Sequence, residues 1–552
     1  MRGLHHRSYP DISDRGAGFW SNWKLIAPCV LAPLIETALL RTAPDSQTAA
    51  IGPQVTAPPP FDLFHDLRWV SVYHNSWLTL GLELCAVIVL RSLIGAYLVR
   101  AAWHDDDAPS ILAAARRTTV FYAVAAVLLL PWVALMFGFS VIGVSYLFFA
   151  SLPPVVIVAL LIHRGAMSQA AGRWWEWRPQ WNSAWLIGLA FVWLTVGGAL
   201  AAGATFPIAM LATAACGALN AFTYHAMVRG IPAPLLHRKR QILLPVAIVL
   251  TFAVAVGGAA GGFARKKSTF THLSPRSIAR IPAHAHGRPL LVAGGFGSHT
   301  DRTPPFNLPQ RFAQWRYSYR GMQGNRPLPY TSSDTEEPLA VSAARMAQQI
   351  DALHAAYGHP VTIVAESEGA IVARYYLLKL YQPQSNAVDR FVALDMPRVR
   401  PAVYYPAAGL DGAGLGSGWA LRGIALLVGH LGPLQVSVDA PFFRSLIDCG
   451  RLATSLQEEQ LPSGVHETQV MAMADSVDGY QPFAGARHYY AIATHGGLMH
   501  DPEADDIVQA IVTGRPVPQS HTRQLLARLI GNAAAGWTTP TLGSKGATDS
   551  GC

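Results

Sequence analysis

Residues 361–380 read VTIVAESEGAIVARYYLLKL. VTIVA, 361–365, is a short apolar run rich in β-branched residues, the signature of a buried strand. From Ala370 onward the apolar residues fall at helical spacing. Glu366, Ser367, Glu368 and Gly369 therefore sit on a tight strand-to-helix corner. Such a corner holds a serine in a strained turn with its Oγ exposed. Ala365 and Gly369, two positions to either side, are small and let strand and helix approach closely. The motif is A-E-S-E-G rather than G-x-S-x-G.

Working outward, strand-like runs alternate with helix-like ones. PLLVAGGFGS, 289–298, is a strand entering a Gly-rich turn, and FAQWRYSYRG, 312–321, is another strand. PLAVSAARMAQQIDALHAAYG, 338–358, has the spacing of an amphipathic helix. RFVALDMP (390–397), TQVMAMADS (468–476) and HYYAIAT (488–494) are further strands, and DPEADDIVQAIVTG (501–514) a closing helix. The alternation predicts an α/β domain with a mostly parallel sheet and flanking helices.

A nucleophilic serine needs a base and a pair of N–H donors for the developing oxyanion. The Glu368 N–H starts a helix, where negative charge is stabilised. The second donor is expected from Phe296, after Gly294 and Gly295. The expected chain order is Ser, acid, His. Asp475 ends one strand and His495 follows the next, before Gly496 and Gly497. In this reading His495 takes the Ser367 proton and Asp475 fixes the imidazole tautomer. Asp478 and Asp395 compete with Asp475, and His500 competes with His495. His299 reads as a surface or substrate-side residue. Glu366 and Glu368 either oppose anionic substrates or are simply solvated.

On these residues, the stretch from about 288 to 515 resembles α/β-hydrolase-fold serine hydrolases, particularly bacterial lipases and esterases. LLVAGGFGS, VTIVAESEGAIVARY, FVALDMP, MADSVDGY and THGGLMHDPEADDIVQAIV carry the similarity. The resemblance implies that Ser367, Asp475 and His495 form a triad, with Phe296 and Glu368 as oxyanion donors. It departs from the family where Gly294-Gly295 replaces His-Gly, and where Ala365 replaces the first elbow glycine. Residues 400–465 form an insertion of the kind that carries a cap. It contains the mostly apolar GSGWALRGIALLVGHLG, 416–432, expected as a lid or as a helix packed on the core.

The first half has a different texture. Only 14% of the 552 residues are charged, well below the roughly 25% of soluble domains. Apolar runs long enough to span a bilayer occur at 77–98, 118–137, 141–162, 184–204, 206–227 and 241–263, with a shorter one at 25–40. The sequence thus divides into a polar segment (1–24), a transmembrane all-α bundle of six or seven helices (25–264), the α/β domain (268–520) and a tail (536–552) expected to be disordered. The APPPFD stretch, 57–62, reads as part of a polar, Pro-rich loop. Trp174, Trp175, Trp177 and Trp181 suit an interfacial belt. Glu83 and Arg91 lie within one predicted span, as a paired or snorkelling contact or a functional site.

Ten Lys and Arg residues fall in the loops 99–117, 163–183 and 228–240, and none in the intervening connections. The positive-inside rule makes these loops cytoplasmic and the α/β domain extracytoplasmic. Arg265, Lys266 and Lys267 oppose that assignment. The net charge of +9 is explained by these loops rather than by nucleic-acid binding. The five cysteines contain no CxxC pair and indicate neither zinc nor a disulfide framework, though a Cys449–Cys552 bridge stays open. No metal or organic cofactor is implied.

The sequence is thus expected to encode a multi-pass cell-membrane serine hydrolase. The partners expected are the lipid bilayer and a lipid or other hydrophobic ester, cleaved through an acyl-Ser367 intermediate. Acyl transfer from the same intermediate is an alternative. A membrane sensor or transporter with a non-catalytic hydrolase-like domain is another.

Overall fold

The computed structural model describes residues 19–43, 46–103, 110–142, 181–229, 279–300, 306–397, 404–431, 437–473, 485–493, 495–517 and 519–540. Two assemblies emerge, an N-terminal helical bundle and an α/β domain. The bundle contains α1 (Trp23–Leu40), α2 (Phe61–Tyr73), α3 (Trp77–Ala102), α4 (Ile111–Ile142), α5 (Trp181–Gly203) and α6 (Phe206–Arg229). All but α2 include a stretch long and apolar enough to cross a membrane, five among the described residues. At most 44% of each such stretch is buried inside the protein. The rest presents side chains such as Leu82, Val89, Leu90 and Leu93 outward, as lipid-facing helices do. The spans expected at 141–162 and 241–263 lie almost entirely outside the described residues.

The segment between α1 and α3 is not the polar surface loop its prolines suggested. A 3₁₀ stretch, Ser46–Gln54, and α2 are packed among the helices. The reason lies in their charged side chains, which pair internally. Arg91, near the middle of α3, donates to Asp66 through Nε and Nη2 at 2.5 Å each, and to Val55 O at 2.5 Å. Tyr122 on α4 donates to Asp62 at 2.6 Å. The two ring nitrogens of His65 face Asp66 Oδ1 at 2.8 Å and Glu36 Oε1 at 2.7 Å. Arg91 is therefore satisfied by a carboxylate on α2 rather than by Glu83 on its own helix. Such pairing is what lets charge reside in an apolar bundle.

In the α/β domain, six strands form one parallel sheet: β1 (Arg288–Ala293), β2 (Phe312–Arg316), β5 (Val361–Glu366), β6 (Val388–Leu394), β7 (His466–Ala472) and β8 (Arg487–Ala491), in spatial order β2-β1-β5-β6-β7-β8. A short antiparallel pair, β3 (Met322–Gln323) and β4 (Arg326–Pro327), stands apart. β5 is buried at every position, as a central parallel strand must be. The flanking helices are α7 (Leu339–Tyr357), α8 (Glu368–Tyr375), α9 (Leu415–Leu431), α10 (Pro441–Ile447), α11 (Gly450–Glu458), α12 (Pro502–Thr513) and α13 (His521–Ala535).

The two assemblies are joined at two places. The apolar insertion forms α9, which packs on α4, α3 and α2 rather than only on its own domain. Its first turn is fastened to His74: the Gly414 N–H donates to His74 O at 2.9 Å and the Gly416 N–H to His74 Nε2 at 2.7 Å. His74 Nδ1 faces Val70 O at 2.6 Å. That carbonyl can only accept, so Nδ1 carries the proton and Nε2 is free to receive Gly416. The second joint is α13, which packs on α5 and the 3₁₀ stretch, with the start of the C-terminal tail that follows it. Residues 536–540 are not solvated but inserted among the helices, with Trp537 fully buried. The indole stacks on Phe191 at 4.7 Å and donates to Thr195 Oγ1 at 2.9 Å. Gly536 O accepts from Gln54 at 2.6 Å and Arg68 at 3.0 Å, and Thr538 O accepts from Arg68 at 2.9 Å. Residues 541–552 lie outside the described residues.

Trp537→Ala should therefore cost about 3–5 kcal/mol. It should lower the thermal midpoint of the detergent-solubilised protein clearly. An unchanged midpoint would show that the tail does not bind the bundle.

Candidate active site

The strand-to-helix corner at 366–369 forms as the residue pattern requires. Ser367 has φ 53° and ψ −120°, a backbone region costly for any residue with a Cβ. What holds it is close packing on both sides. A Cβ on Gly369 would lie 2.7 Å from Gly294 O and 2.9 Å from Ala293 O, so no larger residue fits there. Ala365 pairs in register with Ala293 and Ala393 on the neighbouring strands.

Ser367 Oγ lies 2.9 Å from His495 Nε2. His495 follows β8 in a turn continued by Gly496, whose φ is 69°. On the other side of the ring, Asp395 Oδ2 stands 3.3 Å from Nδ1, with the Asp395 side chain 2% exposed. This is long for a hydrogen bond, a common feature of unliganded catalytic sites. Oδ2 has no other polar partner among the described residues. Its partner oxygen, Oδ1, accepts from Ala472 N at 3.1 Å, and the Asp395 N–H donates to Val470 O at 2.8 Å. The acid is thus anchored to β7 by its backbone and one oxygen, leaving the second for His495.

The sequence put Asp475 in the role of the acid with Asp395 as a rival; among the described residues it is Asp395 that faces His495. Both follow strand-like runs in the sequence, so chain order alone does not separate them. Asp475 and Asp478 lie outside the described residues. His500, in the 3₁₀ turn Leu498–His500, is exposed, and the imidazole that faces Ser367 Oγ is that of His495.

The Gly294-Gly295 loop lies against the serine. A Cβ on Gly295 would come within 2.9 Å of Ser367 Cβ, so the loop reaches Ser367 only as glycine. Phe296 follows directly. Tyr319 OH donates to Gly294 O at 2.7 Å, the Gly297 N–H donates to Thr335 Oγ1 at 3.0 Å, and Tyr330 OH lies 3.1 Å from Ser298 Oγ. These contacts fix the loop from behind, and none was foreseen from sequence. Tyr317, Tyr319 and Tyr330 lie outside the corner motif, and only the three-dimensional fold brings them to it.

The carboxylates flanking Ser367 are buried, not solvated. Glu366 Oε1 accepts the Met499 N–H at 3.2 Å, tying the elbow to the segment just after His495. Glu368 is 1% exposed, and neither of its oxygens has a hydrogen-bond partner among the described residues. Burial, reinforced by Glu336, holds its pKa well above the usual carboxylate range. Among the described residues no group of three His, Cys, Asp or Glu is placed to hold a metal.

No protein-family model matches the chain, and no curated protein matches it.

Two outcomes follow. Asp395→Asn should slow serine labelling by a fluorophosphonate about 10⁴-fold through the wrong tautomer, with Asp475→Asn remaining near wild type; the reverse pattern would restore Asp475. For Glu368, a carboxyl whose folded pKa is raised binds its proton more tightly folded than unfolded. Its stabilising effect is full below its ordinary value of 4.5 and is lost as pH rises through the folded pKa. Glu368→Gln should therefore raise the melting temperature relative to wild type in alkaline buffer, with the gain shrinking toward about pH 4–5. A gain independent of pH would contradict this.

Proposed function

We propose that the protein is a membrane-embedded serine hydrolase of α/β-hydrolase type that cleaves carboxylic esters. The observation that carries the reading is the chain of contacts from Ser367 Oγ to His495 Nε2 at 2.9 Å, and from His495 Nδ1 to Asp395 Oδ2 at 3.3 Å, built on a strained corner. Nucleophile, base and orienting acid are then Ser367, His495 and Asp395.

The chemistry follows from these positions. As Ser367 Oγ bonds to the ester carbonyl carbon, its proton passes to His495 Nε2, and the carbonyl oxygen becomes an oxyanion facing the Phe296 and Glu368 N–H groups. Asp395 stabilises the imidazolium through Nδ1–H. Collapse breaks the carbon–oxygen bond of the alcohol, which takes the proton from Nε2 and leaves acyl-Ser367. Water then attacks the acyl-enzyme, giving its proton to His495, and release of the acid restores Ser367.

A hydrophobic substrate is favoured because the insertion, which reaches Phe296 through Phe442 and Phe443, is fastened to the bundle by α9 and His74. The extracytoplasmic side is favoured by the ten basic residues of the three loops, and by the disulfide at Cys449, since structural disulfides persist in oxidising compartments.

The test is hydrolysis of long-chain esters by the full-length protein in proteoliposomes, wild type beside Ser367→Ala. Release of acid by wild type alone supports the reading. Equal rates, or folded wild type inert toward every ester offered, would refute it.

A further inference from the structure

Arg422 on α9 and Arg444 on α10 converge where the insertion meets the bundle. Both are largely buried, with side chains 13% exposed. Arg422 Nε and Nη2 reach Asp439 at 2.6 and 2.9 Å, and Nη2 also donates to Pro406 O at 2.7 Å. Arg444 Nη2 donates to Tyr405 O at 3.0 Å and lies 3.5 Å from Asp448 Oδ1, while Nη1 stands 3.7 Å from Asp439 Oδ1. The two guanidinium groups also lie over the Tyr405 ring, at 5.7 and 4.7 Å.

The donors are not used up. Arg422 Nη1 and Arg444 Nε and Nη1 are buried without a hydrogen-bond partner among the described residues. Two forks share one close carboxylate, Asp439, and Asp448 is farther away and 43% exposed. Unmade N–H bonds on buried cations are costly, and a phosphate oxygen is the acceptor that a guanidinium fork fits best.

The surroundings specify what carries that phosphate. One turn from Arg422, Trp419 is 51% exposed and lies 6.4 Å from Trp77, at the start of the span α3. Leu426, seven residues on along α9, is 65% exposed, as are Leu78 at 71% and Leu82 at 61% on α3. The outward side of α9 thus continues the lipid-facing surface of α3. Toward the nucleophile, Arg444 adjoins Phe442 and Phe443, whose rings lie 6.3 and 4.9 Å from that of the oxyanion-loop residue Phe296. Cationic donors and a lipid-facing surface therefore meet at one junction, which core aromatic packing links to Phe296.

We propose that this junction is a lipid-headgroup site: Arg422 and Arg444 hold the phosphodiester of a glycerophospholipid from the adjoining leaflet while its acyl ester reaches Ser367. The inference rests on the serine-hydrolase reading and names its substrate class.

The test uses the full-length protein in vesicles of non-hydrolysable ether phosphocholine, doped with either phosphatidylglycerol or a diacylglycerol of the same chains. Wild type should prefer the phospholipid. In Arg422→Gln and Arg444→Gln the ratio of kcat/KM on phospholipid to that on diacylglycerol should fall about tenfold, ~1.4 kcal/mol, through KM. Arg422→Lys should recover part of it. Equal losses on both lipids would make the arginines a structural ion-pair network and overturn the proposal, as would a wild-type preference for diacylglycerol. Millimolar inorganic phosphate that abolished the difference would assign the site to free phosphate instead. If wild type takes no fluorophosphonate label, the hydrolase reading itself fails; if it is labelled but shows no phospholipid preference, only the headgroup proposal does.

Discussion

The α/β domain is organised around one backbone constraint, the left-handed conformation of Ser367 between β5 and α8. A residue with a Cβ adopts φ 53° only when its surroundings leave no alternative. Here the central strand is locked by parallel partners on both sides, and α8 is drawn against the β1 carbonyls through Gly369. That approach brings the Gly294-Gly295 loop onto the serine, and the register of the sheet brings the ends of β6 and β8 to the same edge. Asp395 and His495 meet there because their strands end level with the corner.

A second theme is how the two halves are joined. The membrane bundle does more than hold the α/β domain by a single connection. It receives α9 through His74 and the tail through Gln54, Arg68 and Trp537. Both joints use the segment between α1 and α3, whose charged side chains pair within the bundle. A mere anchor would need neither joint. The Gly294-Gly295 loop is thereby linked to the bundle through Phe296, α10, Asp439 and α9.

Much of this was legible in the residues. The strand-to-helix corner, the parallel strands and the glycines against Ser367 follow from local patterns, because each reflects a local steric demand. The contact between Ser367 and His495 joins two positions that local patterns mark. The carboxylate facing His495 was not legible: two aspartates follow strand-like runs, and only the pairing of the Asp395 N–H and Oδ1 with β7 shows that Asp395 is held there. The burial of residues 46–73 was missed because prolines and charges in a short segment mimic a surface loop, and their partners lie on distant helices. Trp537 was missed because Gly, Thr and Ser around an aromatic resemble a solvated tail unless the pocket formed by Phe61, Phe64 and Phe191 is known.

The central claim is that Ser367 is a nucleophile activated by His495. The most direct measurement is mass-spectrometric mapping of the adduct formed when the folded protein reacts with a fluorophosphonate. A single adduct on Ser367, lost in His495→Ala, is the predicted result. No adduct, or attachment at another serine with Ser367 unmodified, would contradict it.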